Sequence, residues 1–233
     1  MQKNDTNDIL ERIRGGLIVS CQARKGWPMY GTDIMVAFAK AAQQGGACGI
    51  RATEPQNIRA IKEAVDLPMI GIFKQWYDGY DVYITPTYQS AVAVVEAGAE
   101  IVAMDGTKRA RPNRENLCDI IYKMHINYPY ILIMADCDNL DSAKYAQECG
   151  ADIISTTLSG YTEATSDYSK FQSGLIKEFK AHLDVPVIAE GHISTAKDLH
   201  AAYANGADSV VIGTAITRPE IITKWFVDSL MEV

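Results

Sequence analysis

Asp66-Leu67-Pro68-Met69-Ile70-Gly71-Ile72-Phe73-Lys74 and Asp184-Val185-Pro186-Val187-Ile188-Ala189-Glu190 are two versions of one segment. Each opens with an Asp-x-Pro turn, continues as a short apolar run, and ends on one ionisable side chain. Uninterrupted apolar runs of this length fit strands buried on both faces, as in a parallel sheet. Lys74 stands six positions after its proline and Glu190 four after its own. Both offsets are even, so the two side chains leave the same face of their strands. An amine and a carboxylate delivered from two strand ends to one pocket can move a proton.

The same unit repeats along the chain. Gly46-Ala47, Gly98-Ala99, Gly150-Ala151 and Gly206-Ala207 each close a helical pattern just before an apolar run, at intervals of 52, 52 and 56 residues. Glycine just past a helix end is what a helix-to-strand junction requires. Half that interval, roughly 26 residues, is about one strand, one helix and two short loops. Eight such units account for the 233 residues. The expected strands are 17–22, 47–51, 68–74, 100–105, 130–136, 152–157, 185–190 and 209–213. Amphipathic helices such as Asn57 to Val65, Ser90 to Ala97 and Ala196 to Asn205 lie between them. The fold expected is a single α/β domain spanning 1–233, a (β/α)8 TIM barrel with a short N-terminal helix across its bottom. An open doubly wound sheet is disfavoured, because no strand is followed by a GxGxxG turn.

Composition narrows the function. With 48% apolar residues the chain can bury a sizeable core. A net charge of -7, from 22 basic and 29 acidic residues, speaks against a nucleic-acid or anionic membrane surface. The polar N-terminus Met1-Gln2-Lys3-Asn4-Asp5 lacks an apolar h-region, and no apolar stretch reaches spanning length, so a cytoplasmic location is expected. The five cysteines at 21, 48, 118, 137 and 149 show no CxxC spacing and read as reduced thiols, mostly buried. The four scattered histidines offer no zinc pattern, so no metal is expected.

In such barrels the C-terminal strand ends carry the site. Reading the last residue or so of each strand gives Gln22, Arg51, Lys74, Asp105, Asp136, Thr156-Thr157, Glu190 and Gly213-Thr214. Lys74 and Glu190 fall on the third and seventh strands, on opposite sides of an eight-strand mouth, too far apart for a direct ion pair. A phosphate end is signalled after strands seven and eight. There Gly191, Ile193, Gly213 and Thr214 bring backbone N–H groups toward an anion, and Arg218 adds a guanidinium. The long stretch Gln75 to Thr87, rich in aromatic and acidic residues, suits either a loop over a sugar ring or a β-extension on the rim. An apolar C-terminal helix with Ile221, Ile222, Trp225 and Phe226 serves either a homodimer contact or packing on the barrel's own outer ring.

Eight stretches in order carry a resemblance over residues 15–230: Gly16 to Ala23, Gly49-Ile50-Arg51-Ala52, Gly71-Ile72-Phe73-Lys74, Asp81 to Thr87, Ile133-Met134-Ala135-Asp136, Thr156 to Thr162, Ile188-Ala189-Glu190-Gly191 and Ala215 to Pro219. Together they resemble the N-acetylmannosamine-6-phosphate 2-epimerase family of amino-sugar and sialic-acid catabolism. Phe73 stands where an aliphatic residue is more usual, and Thr214 where glycine is common. The resemblance implies cofactor-free inversion at carbon 2, with Lys74 as catalytic base and Glu190 as its partner. It implies that Gln22, Arg51 and Asp136 orient the sugar, with Thr157 and Tyr161 as further sugar contacts. The implied partner is a small phosphosugar. Two other readings stay open: a phosphosugar lyase or aldolase with Lys74 as Schiff-base amine, and a non-catalytic phosphosugar-binding barrel.

Overall fold

In the computed structural model, which describes residues 3–232, the apolar runs become eight short strands. They are β1 Leu17–Cys21, β2 Gly49–Thr53, β3 Met69–Ile72, β4 Ile101–Asp105, β5 Leu132–Asp136, β6 Ile153–Ser155, β7 Val187–Ala189 and β8 Ser209–Ile212. Each pairs in parallel with the next, and β8 pairs with β1 to close the barrel. The helices are α1 Lys3–Ile13, α2 Thr32–Gln44, α3 Pro55–Ala64, α4 Tyr88–Glu96 and α5 Leu117–Asn127. They continue with α6 Leu140–Glu148, α7 Ser173–His182, α8 Ala196–Ala204, α9 Thr214–Thr217 and α10 Pro219–Ser229.

Strand alternation divides the core in two. Ile18, Ile70, Ile101, Leu132, Ile153, Ile188 and Val211 fill the barrel interior, together with Ile9 and Ile13 from α1. The helix across the bottom is therefore the floor of the interior cluster. The alternate strand residues, among them Val19, Ile50, Val102, Ile133, Ile154 and Val210, pack outward under the helices with Ile58, Ile121 and Phe179. The inward-facing series continues upward to the mouth. Ile18 leads by twos to Ser20 and Gln22, Ile70 to Lys74, Leu132 to Asp136, Ile153 to Thr157, and Ile188 to Glu190. The parity that sorts the core thus also aims the site.

The four Gly-Ala pairs end their helices as expected. Gly46, Gly98, Gly150 and Gly206 take φ of 88, 102, 98 and 94°, in the left-handed region that glycine enters without penalty. The alanine after each reaches back into the helix, as in Ala47 N–H to Ala42 O at 2.9 Å and Ala151 N–H to Ala146 O at 3.0 Å. That reversal is a Schellman turn. It also explains one displaced element. β2 was expected at 47–51 and lies at 49–53, because Ala47 is spent closing the turn after α2 and the ladder cannot begin until Gly49.

The long stretch after β3 is a β-extension at both its ends. Gln75 N–H donates to Tyr83 O and Thr85 N–H to Phe73 O, both at 2.9 Å, around an antiparallel bridge between Lys74 and Ile84. Asp105 N–H then donates to Ile84 O at 3.0 Å. The returning segment is wedged between β3 and β4, which pair directly only at Ile70 with Ile101 and Gly71 with Val102. Val82 and Ile84 are buried there, and Thr85 Oγ1 donates to Ala103 O at 2.7 Å.

The expectation of five reduced cysteines is corrected. Cys118, in the first turn of α5, and Cys149, at the C-cap of α6, form a disulfide with Cα atoms 4.3 Å apart. Adjacent helices on the outer ring bring the two together, a proximity that their 31-residue separation hides in the sequence. Cys21, Cys48 and Cys137 are free thiols.

Candidate active site

The mouth of the barrel opens into a cavity of about 730 Å³. Gln22, Arg51, Lys74, Thr157, Tyr161, Glu190, Gly191, Ile193, Gly213, Thr214 and Arg218 all line it. Of the strand-end residues singled out from sequence, Asp105, Asp136 and Thr156 stand back from the cavity surface. Asp105 is buried and pairs with Arg109, and Thr156 Oγ1 donates to Glu190 O at 2.8 Å. Asp136 is the one of the three that reaches the network at the mouth. It is completely buried and directs its carboxylate at Arg51.

Arg51 is the hub. It sits in the middle of β2 rather than at its end, and its side chain runs up the interior with only 1% exposed. Its Nη2 donates to Asp136 Oδ2 at 2.5 Å and its Nη1 to Asp136 Oδ1 at 3.0 Å, a two-pronged pair. The same Nη1 donates to Glu190 Oε2 at 2.5 Å. Burial works against the guanidinium charge, but the carboxylates of Asp136 and Glu190 outweigh it and raise the pKa. A buried cation between two anions is held in one position, because removing any member leaves an uncompensated charge.

Hydroxyls complete the network. Ser155 Oγ donates to Asp136 Oδ1 at 2.8 Å, and Thr157 Oγ1 lies 2.8 Å from the same oxygen and 3.0 Å from Glu190 Oε2. Thr157 has a single hydroxyl hydrogen, so it serves one carboxylate at a time. Both contacts to Glu190 fall on Oε2, and among the described residues no hydrogen bond engages Oε1. Burial pushes the Glu190 carboxyl up, against the pull of Arg51, while Asp136 adds to the rise. A carboxyl raised in this way holds its proton to higher pH than an exposed one does.

Lys74 faces this network from the other side. The β-extension fixes its backbone, and its Nζ lies 6.0 Å from the centre of the Tyr83 ring. Among the described residues no carboxylate pairs with it. Desolvation, joined by the positive charges of Arg51 and Arg24, pushes its pKa down to about 8, with Glu190 and Asp136 pulling the other way. An amine so placed is neutral for a useful fraction of the time and can act as a base. Lys74 and Glu190 were expected to be too far apart to pair directly. No salt bridge joins them, and the Arg51 guanidinium, which sequence reading placed at a strand end, lies against Glu190.

The loops after β7 and β8 turn sharply. Gly191 and His192 take successive left-handed conformations, with φ of 99 and 55°. His192 stacks on Tyr161 with ring centres 4.6 Å apart and planes 5° from parallel. Gly213 caps the short helix α9, whose first N–H groups have no acceptor within the helix. The Ser194 and Thr195 N–H groups are already taken by Asp198, at 3.1 and 2.9 Å. Arg218 pairs with Glu220 through Nε and lies over the Trp27 ring at 3.5 Å.

Sequence reading missed several lining residues, among them Arg24, Trp27 and Tyr83. Arg24 lies past the end of β1, where strand parity no longer applies, so no periodic signal marked it. Gln22 donates to Ser20 Oγ at 2.7 Å, while its Oε1 is buried without a partner and can accept from a ligand. Among the described residues no group of three or more His, Cys, Asp or Glu is placed to hold a metal ion.

Comparisons with known proteins agree on one family. Residues 35–232 match the family model described as "Putative N-acetylmannosamine-6-phosphate epimerase". The chain is 48% identical over 226 residues to a protein of Listeria welshimeri named "Putative N-acetylmannosamine-6-phosphate 2-epimerase", covering 96% of each. A protein of the same name from Caldanaerobacter subterraneus is 44% identical, covering 97% of this chain and 95% of that one. The solved N-acetylmannosamine-6-phosphate 2-epimerase of Clostridium perfringens superposes with a TM-score of 0.91 at 42% identity, over 94% of this chain and 95% of that one. A strand-end lysine facing an Arg51-Glu190 pair, on a barrel this close to a solved relative, places the chain in the N-acetylmannosamine-6-phosphate 2-epimerase family.

Proposed function

We propose that the chain, acting as one catalytic domain, interconverts N-acetylmannosamine 6-phosphate and N-acetylglucosamine 6-phosphate by removing and returning the proton on carbon 2. The observation that carries this reading is the Lys74 amine, its pKa pushed down to about 8, facing a cavity shared with the Glu190 carboxyl. Carbon 2 of the open-chain sugar adjoins the carbonyl carbon, so loss of its proton gives an enolate-like species. Inversion needs the proton back on the other face. Lys74 takes the proton as neutral amine, and Glu190 Oε1, free of internal bonds, is the group offered to the opposite side. Such general acid–base help is typically worth about 10²–10⁴ in rate. Arg51, permanently charged, stabilises the negative oxygen that develops. Asp136 acts through Arg51, holding the guanidinium in place, and Gln22, Thr157 and Tyr161 meet the sugar. The backbone of Gly191, Ile193, Gly213 and Thr214, with Arg218, receives the phosphate. Lys74→Ala and Glu190→Ala should each abolish turnover and leave phosphate binding intact, as read by coupled assay and calorimetry. Near-normal epimerisation by either variant refutes that residue's essential role.

The reading extends to partners and place. A phosphorylated sugar is confined by its charge to the compartment that makes it, which supports a cytoplasmic location. Among the described residues no helix is long and apolar enough to cross a membrane. α10 has no buried residue and exposes Trp225, Phe226 and Val227 at 41, 72 and 54%, which supports a homodimer through this face. Sedimentation of Phe226→Glu tests it: a monomer beside a dimeric parent supports the face, and an unchanged mass rejects it.

A further inference from the structure

We propose that Arg24 is a second guanidinium for the substrate's phosphate, held over the mouth between two indoles and working beside Arg218. This rests on the phosphosugar reading of the site. The Arg24 Cζ lies 5.5 Å from the Trp27 ring centre and 5.1 Å from that of Trp76. Trp76 in turn stacks on Tyr83 with centres 5.5 Å apart. Arg24 is thus within cation–π reach of one ring from the β1 loop and one from the β3 extension. A π-face takes none of the five N–H donors as a conventional hydrogen bond, and among the described residues no acceptor engages them, so they are open to an anion.

Charge points the same way. Arg218 lies 3.5 Å from the same Trp27 centre, so the two guanidinium carbons can be no farther apart than 3.5 and 5.5 Å laid end to end. Two like charges share one indole. Arg218 has Glu220 as partner, whereas among the described residues no carboxylate pairs with Arg24. Arg24 is exposed at the rim and next to a second cation, so an anion entering the cavity meets both charges. Both arginines line the cavity, as do Gly191, Gly213 and Thr214, and β1 adjoins β8, so the two loops are neighbours.

The test uses Arg24→Gln and Arg24→Lys with inorganic phosphate in calorimetry and the phosphosugar in steady-state kinetics. A charge-assisted bond lost predicts about tenfold or greater weakening of phosphate binding and a matching rise in KM. Because Arg24 also lowers the Lys74 pKa, kcat is read at each variant's own pH optimum and should stay within about twofold. Arg24→Lys should recover part of the loss. Unchanged phosphate affinity in Arg24→Gln overturns the proposal. So does equal weakening toward unphosphorylated N-acetylmannosamine, which indicates a latch between loops instead. If the parent binds phosphate in an Arg24-dependent way but turns over no sugar, the epimerase reading fails while the anion site stands.

Discussion

Arg51 and Glu190 are 139 positions apart in the chain and meet at 2.5 Å inside the mouth, where Asp136 grips the same guanidinium. The contact ties the second strand to the fifth and the seventh. It fixes the carboxyl that faces Lys74, and it makes the candidate site part of the barrel's own structure.

Removing the hub should therefore cost stability as well as activity. Arg51→Met strands Asp136, completely buried, without its cation. A loss of about 3–5 kcal/mol in urea unfolding is expected, with no measurable turnover. A variant as stable as its parent contradicts the hub role.

Lys74 should behave in the opposite sense. Its folded pKa of about 8 lies below the ordinary lysine value of 10.5, so the unfolded chain binds more protons between those two pH values. Stability from this group rises as pH climbs through that window, and below about 8 the buried charge is a standing penalty. Lys74→Met should be more stable than its parent at pH 7 by about 1–3 kcal/mol while being inactive. Urea titrations of both proteins at neutral and alkaline pH check the sign.

The same shift sets the activity profile. With a neutral Lys74 and a protonated Glu190 both required, kcat/KM for the parent should pass through a maximum with pH, one limb set by each group. A profile that is already flat from pH 6 upward excludes Lys74 as the base.

Thr157→Val deletes the one hydroxyl shared between the two carboxylates. Its bond lowers the Glu190 pKa, so the variant should carry a higher one. A fall of about tenfold in kcat/KM is the expected result of steady-state kinetics.

The cysteine pairing has a direct count. Of five cysteines, Cys21, Cys48 and Cys137 are free, so denatured protein without reductant should titrate three thiols, and five after reduction. Closing a 31-residue separation is worth at most about 3–4 kcal/mol on chain-entropy grounds. Protein kept in reductant should lose that contribution, read as a lower urea midpoint than that of the oxidised protein.

Much of this was legible in the chain. Buried parallel strands announce themselves as apolar runs, and Gly46, Gly98, Gly150 and Gly206 marked the helix ends because only the backbone conformation there demands glycine. Even spacing from Pro68 and Pro186 aimed Lys74 and Glu190 inward, since alternation along a strand is fixed by the pleat. What stayed hidden was contact between distant segments. Arg51 was read as a strand end because the turn after α2 shifts the ladder by two residues, and its partners lie 85 and 139 positions away. The wedge of Val82 to Thr85 between β3 and β4 depends on bonds to Phe73 and Asp105, which periodicity does not show. The Cys118–Cys149 pair likewise follows from helix packing, and the approach of Arg24 to Trp27 and Trp76 from the meeting of two loops.

The central claim is that carbon 2 loses and regains a proton in this cavity. Running the reaction in deuterium oxide and reading carbon 2 of the product by NMR tests it most directly. Deuterium at that carbon in the epimerised sugar, and none anywhere with Lys74→Ala, is the predicted result. Epimerised product that keeps its original hydrogen at carbon 2 contradicts the account.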